Sequence, residues 1–317
     1  MQGMRAARIN RFGGPEEIVV ATDAPVPEPA ADEALVRVFA AGTNPLDYKI
    51  RDGSSGMAKK LRPEDFPVTL GREACGVVEK LGGPAPGIEV GQLVFGMPSL
   101  THPAGCYADY AVLPLDCLAR VPEGGDPVVF GGTALVLSTA LTAAYDQGKV
   151  QAGEKVLVHG GTGGVGQLAV QLCLRAGAEV WATASTRNQQ RLAELGAHPV
   201  DYRTQDFVEV TPKMDLIIDG NYFTTFERSL DHLNPSGRIV VLPSLADLTP
   251  ARERGIEAHI PAFGPMPERL EELAPAIVGG ELNIEVSQVL PLEQAADAHR
   301  ALEAGHSRGK IVLDLSA

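Results

Sequence analysis

The sequence predicts an α/β protein in which a β-rich domain is combined with a doubly wound domain built on a parallel sheet. Three observations support this. Short apolar runs bounded by Gly and Pro fill the first third of the chain, as is typical of strands. Between about residues 123 and 264, continuous apolar runs alternate with helical stretches, which indicates a parallel sheet buried on both faces. A glycine-rich segment joins the first of these runs to a helix.

The individual elements follow the same rhythm. The early apolar runs predict strands at 35–39, 76–79 and 93–95. In the central region we predict strands at 155–159, 179–183, 215–219 and 238–242, and helices at 167–175 and 188–195. After residue 264 we predict a helix at 267–278, an apolar stretch at 282–289, a second helix at 292–304 and a closing strand at 310–315.

Composition narrows the function classes. The 317 residues suggest two domains, and 44% hydrophobic residues allow a sizeable core. Forty Asp and Glu against 27 Lys and Arg give a net charge of −13, which argues against nucleic acid or a membrane surface as partner. No apolar stretch is long enough to span a bilayer and no secretory signal is evident, so we expect a cytoplasmic protein. The four cysteines form no CxxC pair.

The most informative motif is Gly161-x-Gly163-x-x-Gly166, which lies between an apolar strand and an apolar helix. The early glycines allow a tight turn close to a pyrophosphate, and Gly166 allows the helix to pack on the strand. A glycine-rich turn without a ligand is the simpler alternative. The loop lacks a Gly-Lys-Ser/Thr ending, which argues against a phosphate-transferring P-loop.

The end of the second central strand indicates which dinucleotide binds. NAD sites place Asp or Glu there to bind the ribose 2′-hydroxyl. This chain instead has Ser185, Thr186 and Arg187, which suit a 2′-phosphate, although Arg187 could be an ordinary surface charge. The sequence therefore predicts NADPH as the cofactor.

The chain resembles the medium-chain dehydrogenase/reductase superfamily, in its zinc-independent quinone oxidoreductase branch. The resemblance rests on motifs along nearly the whole chain: Arg11-Phe-Gly-Gly-Pro15, Ala41-Gly-Thr-Asn-Pro-Leu-Asp47, Arg51-Asp-Gly53, Gly71-Arg-Glu-Ala-Cys-Gly-Val-Val78, Thr142-Ala-Ala-Tyr145, the glycine loop, Leu195-Gly-Ala197, Leu292 to Leu302 and Arg308-Gly-Lys-Ile-Val-Leu313. It implies a GroES-like substrate domain at 1–123 and 264–317, a Rossmann NADP-binding domain at 124–263, and an active site in the cleft.

The chain departs from zinc-dependent members of the superfamily at their metal ligands. Asn44 stands where those enzymes carry a Cys ligand, and Gly71-Arg72-Glu73 stands where they have Gly-His-Glu. A catalytic zinc needs three protein ligands, so we expect no metal. Without a metal, quinones and α,β-unsaturated carbonyl compounds are the easier hydride acceptors, because conjugation spreads the incoming charge.

The resemblance also assigns candidate catalytic residues. It places Asn44 and Asp47 in a loop bordering the nicotinamide and substrate, with Asn44 as a hydrogen-bond donor, whereas ordinary turn chemistry is the alternative. Tyr48 could hydrogen-bond the substrate or donate a proton, or simply be a half-buried core residue. Thr142 resembles a threonine beside the nicotinamide, although it could equally be a helix hydroxyl bonded to its own backbone.

The candidate cofactor-binding residues lie after the strands of the central domain and near the C-terminus. They are Gly161, Thr162, Gly163, Gly164, Val165, Ser185, Thr186, Arg187, Tyr202, Asn221, Leu242, Ser244, Arg308 and Lys310. The resemblance places Tyr202 by the 2′-phosphate and the basic pair Arg308 and Lys310 on the nicotinamide side, although Lys310 could be a surface charge. We expect His159 to pack beside the glycine loop, and His299 and His306 to lie at the surface.

These observations together predict an NADPH-dependent reductase of quinones or activated alkenes. A metal-free NADP-dependent alcohol or carbonyl dehydrogenase is a first alternative, and a non-catalytic NADPH-binding sensor is a second. Residues 256–260 form a candidate edge strand, so we expect a homodimer. The predicted partners are thus a small-molecule quinone or enone and a second copy of the chain.

Overall fold

The computed structural model describes residues 3–99, 102–103, 105–305 and 307–316. The chain divides into two compact units, Met1–Leu135 with Gly264–Ala317, and Val136–Phe263. The first division falls at 135/136 rather than at the predicted 123/124. The reason is that the segment around Phe130 packs within the first unit, where its ring centroid lies 4.8 Å from that of Phe95.

Sixteen strands are formed by the described residues. They are β1 (Met4–Ile9), β2 (Ile18–Ala24), β3 (Glu33–Gly42), β4 (Val68–Thr69), β5 (Ala74–Leu81), β6 (Leu93–Gly96), β7 (Tyr110–Pro114), β8 (Leu118–Arg120), β9 (Lys155–His159), β10 (Glu179–Ala184), β11 (His198–Asp201), β12 (Met214–Asp219), β13 (Leu233–Val241), β14 (Glu257–His259), β15 (Val286–Pro291) and β16 (Lys310–Asp314).

Ten α-helices are formed by the same residues, together with a π-helical turn at Thr142–Gln147. They are α1 (Pro45–Arg51), α2 (Pro127–Gly131), α3 (Ala134–Leu141), α4 (Gly164–Arg175), α5 (Gln189–Glu194), α6 (Phe207–Val210), α7 (Phe226–Asp231), α8 (Thr249–Glu253), α9 (Pro267–Val278) and α10 (Ala295–Glu303). No helix in the described part of the chain is long and apolar enough to cross a membrane.

The first unit is built on two sheets. A seven-stranded sheet runs in the order β15-β16-β3-β5-β6-β8, with β7 also paired to β3, and a smaller sheet has the order β2-β1-β4. Strand β16 is antiparallel to β3, with Val312 opposite Gly42, so the C-terminal strand completes a sheet begun near the N-terminus. Its core includes Val36, Val78 and Leu313, all fully buried.

The second unit is a doubly wound parallel sheet, as predicted. Its six strands run in the order β11-β10-β9-β12-β13-β14, the arrangement of dinucleotide-binding domains. Central strands β9 and β12 carry apolar residues on both faces, since Leu157, Val158 and Ile217 are fully buried. Because the strands are parallel, all six carboxyl ends lie at one edge of the sheet. Strand β14, from the predicted segment 256–260, is the outermost strand next to β13.

The late elements agree with the predictions in type but not in every bound. Helix α9 spans the predicted residues, whereas only the second half of the apolar stretch noted at 282–289 is a strand, β15. Leu282 and Ile284 are buried apolar residues that precede this strand, so an apolar pattern alone does not mark where a strand begins.

Candidate active site

The glycine loop leaves β9 through a conformation that only glycine adopts without strain. Gly160 has a φ of +77°, and a Cβ at Gly166 would lie 2.1 Å from the Gly160 carbonyl oxygen. Helix α4 begins directly afterwards with Gly163 as its N-cap. Gly160 is the turn residue that the motif did not identify, while the predicted packing role of Gly166 agrees with this geometry.

Thr183, at the end of β10, holds the loop from the neighbouring strand. Its hydroxyl accepts a hydrogen bond from Gly160 N–H at 3.2 Å, and its carbonyl accepts one from Gly161 N–H at 3.0 Å. Gly163, Gly164 and Val165 stay partly exposed, whereas Thr162 is buried. The strand thus fixes one side of the loop. The backbone N–H groups at the N-terminus of α4 lie in the partly exposed part of the loop, where they suit a pyrophosphate group.

The residues predicted to read the 2′-phosphate lie on adjacent strands. Ala184 pairs with Asp201, and Tyr202 N–H donates to the Ala184 carbonyl at 3.2 Å, so the segments at 185–187 and 202 leave the sheet side by side. Thr186, Arg187 and Tyr202 are exposed and Ser185 is partly exposed. The sheet therefore brings together the four predicted residues.

Asp201, which the sequence analysis did not select, forms hydrogen bonds to two of the residues around the predicted 2′-phosphate site. The hydroxyl of Thr186 donates to the carboxylate of Asp201, which is the largest cause of the lowered pKa of Asp201, and Arg203 N–H donates to it at 3.0 Å. Part of the hydrogen-bonding capacity of Thr186 is therefore used within the protein. Ser185 also has a partner, since its Oγ accepts a hydrogen bond from Asn188 Nδ2 at 3.3 Å.

Asn221, Leu242 and Ser244 follow the next two strands, as predicted. Asn221 N–H donates to the carboxylate of Asp219 at 2.9 Å, and Leu242 N–H donates to the Asp219 carbonyl at 2.9 Å. Asn221 and Ser244 are exposed and Leu242 is partly exposed. All predicted cofactor residues except the C-terminal basic pair therefore lie at one edge of this sheet.

His159 packs beneath the glycine loop. Its Nδ1 lies 3.2 Å from Thr183 Oγ1 and its Nε2 lies 3.1 Å from Ser229 Oγ. Burial lowers its pKa to about 4, so the imidazole is neutral at physiological pH. Its role is structural, in line with the expectation.

Thr142 opens the π-helical turn at Thr142–Gln147 and is 2% exposed. Its hydroxyl has no hydrogen-bond partner among the described residues. The expected alternative of a hydroxyl bonded to its own helix backbone is therefore not what the structure shows. Its burial also gives no support to a place beside the nicotinamide.

In the first unit, Asn44 belongs to a buried polar cluster with Glu73 and Lys310. Asn44 Nδ2 donates to Glu73 Oε1 at 2.8 Å, and Lys310 Nζ donates to Asn44 Oδ1 at 2.6 Å and to Glu73 Oε1 at 2.8 Å. Lys310 Nζ also donates to the carbonyl of Thr43 at 2.9 Å. Since its amide is engaged within the protein and 1% exposed, Asn44 does not have the geometry of the predicted donor to substrate.

The same contacts correct the prediction for the C-terminal basic pair. Lys310 is 3% exposed, and its three acceptors satisfy the three N–H groups of an ammonium, so it is neither a surface charge nor a group left free for the cofactor. Arg308 forms an ion pair with Glu285 instead of extending freely. Glu73, the residue that the sequence analysis did not select, is the acceptor that ties the cluster together.

Asp47 caps helix α1 from within rather than facing a ligand. Its Oδ2 accepts from Asn44 N–H at 2.8 Å and from the hydroxyl of Tyr107 at 2.9 Å, while its Oδ1 has no hydrogen-bond partner among the described residues. Burial raises the pKa of Asp47 to about 7. The alternative of turn chemistry is therefore what the structure shows, and the predicted catalytic role is not supported.

Tyr48 is the exception among the four candidate catalytic residues, because its side chain is half-buried rather than buried. Burial, with the carboxylates of Glu303 and Asp52 nearby, raises the pKa of its phenol. The phenol is therefore protonated at physiological pH and able to donate a hydrogen bond or a proton.

His299 overturns another expectation. It is fully buried, with Nδ1 3.3 Å from Arg51 Nη1, and burial lowers its pKa to about 3. Arg51 in turn donates to the carboxylate of Glu303, so α1 and α10 are joined through these side chains. His306 lies outside the described residues. Within the described ranges, no three His, Cys, Asp or Glu side chains form a group that could hold a metal ion.

Comparison with known proteins agrees with the two-unit architecture. Residues 30–123 match the family model of the alcohol dehydrogenase GroES-like domain, and residues 195–313 match that of zinc-binding dehydrogenase. A quinone oxidoreductase from Pongo abelii is 31% identical over 98% of this chain and 97% of its own length. An NADPH-dependent alkenal/one oxidoreductase from Arabidopsis thaliana is 29% identical over 98% of this chain and 79% of its own length.

Solved structures give the same result. The quinone oxidoreductase of Coxiella burnetii superposes with a TM-score of 0.93 at 34% identity, covering 98% of this chain and 99% of that one. The Escherichia coli quinone oxidoreductase complexed with NADPH superposes with a TM-score of 0.86 at 26% identity, covering 98% and 99%. The chain belongs to the medium-chain dehydrogenase/reductase superfamily, in its quinone oxidoreductase branch. It is an oxidoreductase, and its cofactor is NADPH.

Proposed function

We propose that the protein transfers a hydride from NADPH to quinones or α,β-unsaturated carbonyl compounds, and that it does so without zinc. The acceptor class is supported by the relatives of this chain, which include quinone oxidoreductases and an alkenal/one oxidoreductase. Bound NADPH supplies the hydride, which a conjugated acceptor takes up at carbon or oxygen together with one proton. The observation that carries the zinc-free part is the buried cluster of Asn44, Glu73 and Lys310.

That cluster does not fit a zinc site. An ammonium group, Lys310 Nζ, donates to both Asn44 Oδ1 and Glu73 Oε1, so the polar atoms at this position already surround a cation. Arg72, the other departure from the zinc ligands, directs its guanidinium to the carbonyls of Ser99 and His102. Neither an ammonium nor a guanidinium can ligate a metal, because neither has a free lone pair.

The absence of a Lewis acid sets the acceptor preference. A simple aldehyde would concentrate the incoming charge on one oxygen, which zinc would otherwise stabilise. A quinone or an enone spreads that charge by conjugation, so positioning and hydrogen bonding suffice. Tyr48 is the side chain we assign to this hydrogen bond or to proton delivery, because it is partly exposed and its raised pKa keeps it protonated.

The residues that follow β10 and β11 at the carboxyl edge of the sheet support a preference for NADPH over NADH. Ser185 and Arg187 follow β10 and lie beside Tyr202, which follows β11. A guanidinium and hydroxyl groups suit a 2′-phosphate, because charge-assisted hydrogen bonds to phosphate are about twice as strong as neutral ones. We propose that these residues give the preference for NADPH over NADH.

The test is steady-state oxidation of NADPH, followed by absorbance with EDTA present, against a quinone, an enone and a simple aldehyde. Turnover with the first two and little with the aldehyde is the expected result. Activity on the aldehyde alone would favour a metal-free carbonyl dehydrogenase, and activity abolished by EDTA would overturn the zinc-free proposal. NADPH binding without any turnover would favour a non-catalytic sensor.

We also propose that two copies pair through β14. This three-residue strand lies at the side of the six-stranded sheet, bonded to β13 on one side only among the described strands. Its other edge can pair with a second copy. Solution scattering should give a dimeric mass, and a monomeric mass would contradict the proposal.

A further inference from the structure

Tyr222 holds an unusual backbone conformation directly after β12. Its φ is +60°, and only Lys149 shares a positive φ among the described non-glycine residues. An aromatic residue in the left-handed region is strained and persists only where the surroundings hold it in place. The contacts that hold it are therefore informative.

The first set of contacts comes from the end of β12 itself. The fully buried carboxylate of Asp219 accepts hydrogen bonds from Tyr222 N–H at 2.8 Å, Asn221 N–H at 2.9 Å and Thr225 Oγ1 at 2.8 Å. The carboxylate of Asp219 thus holds the loop at 220–225 in place. The ring of Tyr222 also lies against Phe226 of α7, with ring centroids 5.0 Å apart.

The second set reaches the next loop of the sheet. The hydroxyl of Tyr222 accepts from Asp247 N–H at 2.9 Å and lies 3.2 Å from the Asp247 carbonyl oxygen, to which it donates. Asp247 belongs to the segment between β13 and α8, which also carries Ser244. One side chain therefore ties together the two loops that follow β12 and β13.

We propose that Tyr222 is a positioning residue that sets the spacing of these two loops, and so of Asn221 and Ser244, for binding NADPH. The inference deepens the proposed function, because it takes the carboxyl edge of this sheet as the cofactor site. The two loops follow the neighbouring parallel strands β12 and β13, whose pairing ends with Asp219 opposite Val241. The distance between the loops can therefore vary only beyond this last pair. Tyr222 supplies the next connection, because its hydroxyl donates to the Asp247 carbonyl and accepts from Asp247 N–H.

The test uses the full chain and direct titration of NADPH fluorescence, with no acceptor present. Tyr222→Phe removes the hydroxyl but keeps the ring on Phe226. We expect the Kd for NADPH to rise about tenfold, the effect of losing two ordinary hydrogen bonds. Tyr222→Asn, whose backbone tolerates a positive φ, should weaken NADPH binding at least as much.

The matched control is Tyr145→Phe, which removes a hydroxyl that donates to the Leu172 carbonyl at 3.1 Å in the same unit. It should leave the Kd for NADPH unchanged. A Tyr222→Phe variant with a lowered Tm but wild-type Kd would show a merely structural tyrosine and overturn the inference. Because no acceptor is used, a wild-type protein that binds NADPH but reduces no quinone would contradict the proposed function and leave this inference standing.

Discussion

The ammonium of Lys310 lies 2.8 Å from a carboxylate oxygen of Glu73, and the two side chains are 3% and 0% exposed. This ion pair joins the first residue of β16 to the residue just before β5. Asn44 completes the cluster by accepting from Lys310 and donating to Glu73. Residues from three distant parts of the chain thus form one hydrogen-bonded unit inside the first unit of the fold.

Removing one partner of this pair should be costly. Lys310→Met leaves the buried carboxylate of Glu73 without a counter-charge, so we expect a loss of about 3–5 kcal/mol in the free energy of unfolding. The double variant Lys310→Met with Glu73→Gln should lose much less, because no charge then stays buried. Denaturant unfolding measures both.

The control for this prediction is Lys80→Met, since Lys80 pairs with Glu28 at the surface. An exposed pair contributes about 0–1 kcal/mol, so this variant should unfold almost as the wild type does. Equal losses of unfolding free energy in Lys310→Met and Lys80→Met would contradict the predicted cost of breaking the buried pair.

Asp47 should make the stability depend on pH in a defined direction. Burial raises its pKa to about 7 in the folded state, against about 3.9 in the unfolded chain. The folded state therefore binds the extra proton between about pH 4 and 7, and stability falls as the pH rises through this window, by up to about 4 kcal/mol.

Asp47→Asn mimics the protonated acid and should remove this dependence. The difference in unfolding free energy, wild type minus variant, should decrease from pH 4 to pH 7. A difference that increases with pH would mean that Asp47 is stabilised as a carboxylate. Since Asp47 is buried, the variant should also keep kcat near the wild-type value.

Arg187→Ala should erode the preference for NADPH. A charge-assisted contact with the 2′-phosphate is worth about 1.5–3 kcal/mol, so kcat/KM for NADPH should fall about tenfold to a hundredfold while that for NADH changes little. Arg300→Ala, which removes a half-exposed arginine of α10, is the matched control. Parallel losses with both cofactors would place Arg187 outside the 2′-phosphate site.

Thr142→Val should not destabilise the protein. The hydroxyl of Thr142 is buried without a partner among the described residues, and valine keeps its shape. Removing an unsatisfied buried hydroxyl should leave the free energy of unfolding unchanged or raise it by about 1 kcal/mol. A loss above about 1 kcal/mol in thermal or denaturant unfolding would show that the hydroxyl has a partner, such as a buried water.

The sequence predicted the parts of the site that depend on local pattern. The doubly wound sheet and the glycine loop follow from runs of neighbouring residues, because strand burial and a Gly-x-Gly-x-x-Gly turn are encoded within about ten positions. The residues after β10, β11, β12 and β13 could also be grouped, since parallel strands bring their carboxyl ends to one edge.

Long-range polar contacts could not be predicted in this way. The family resemblance assigned Asn44 to the substrate, and no sequence pattern links Asn44 to Lys310, 266 positions away, or Asp47 to Tyr107, 60 positions away. His299, on the last helix, was expected at the surface, yet it packs against Arg51. The placement of a buried polar side chain depends on the tertiary partner that satisfies it.

The central claim is metal-free hydride transfer from NADPH to a conjugated acceptor. It is tested most directly with NADPH deuterated at both C4 positions and an enone, using protein whose zinc content has been measured by mass spectrometry. We expect one deuterium on the β-carbon of the product and a rate independent of residual zinc. Product without deuterium, or a rate proportional to zinc content, would contradict the account.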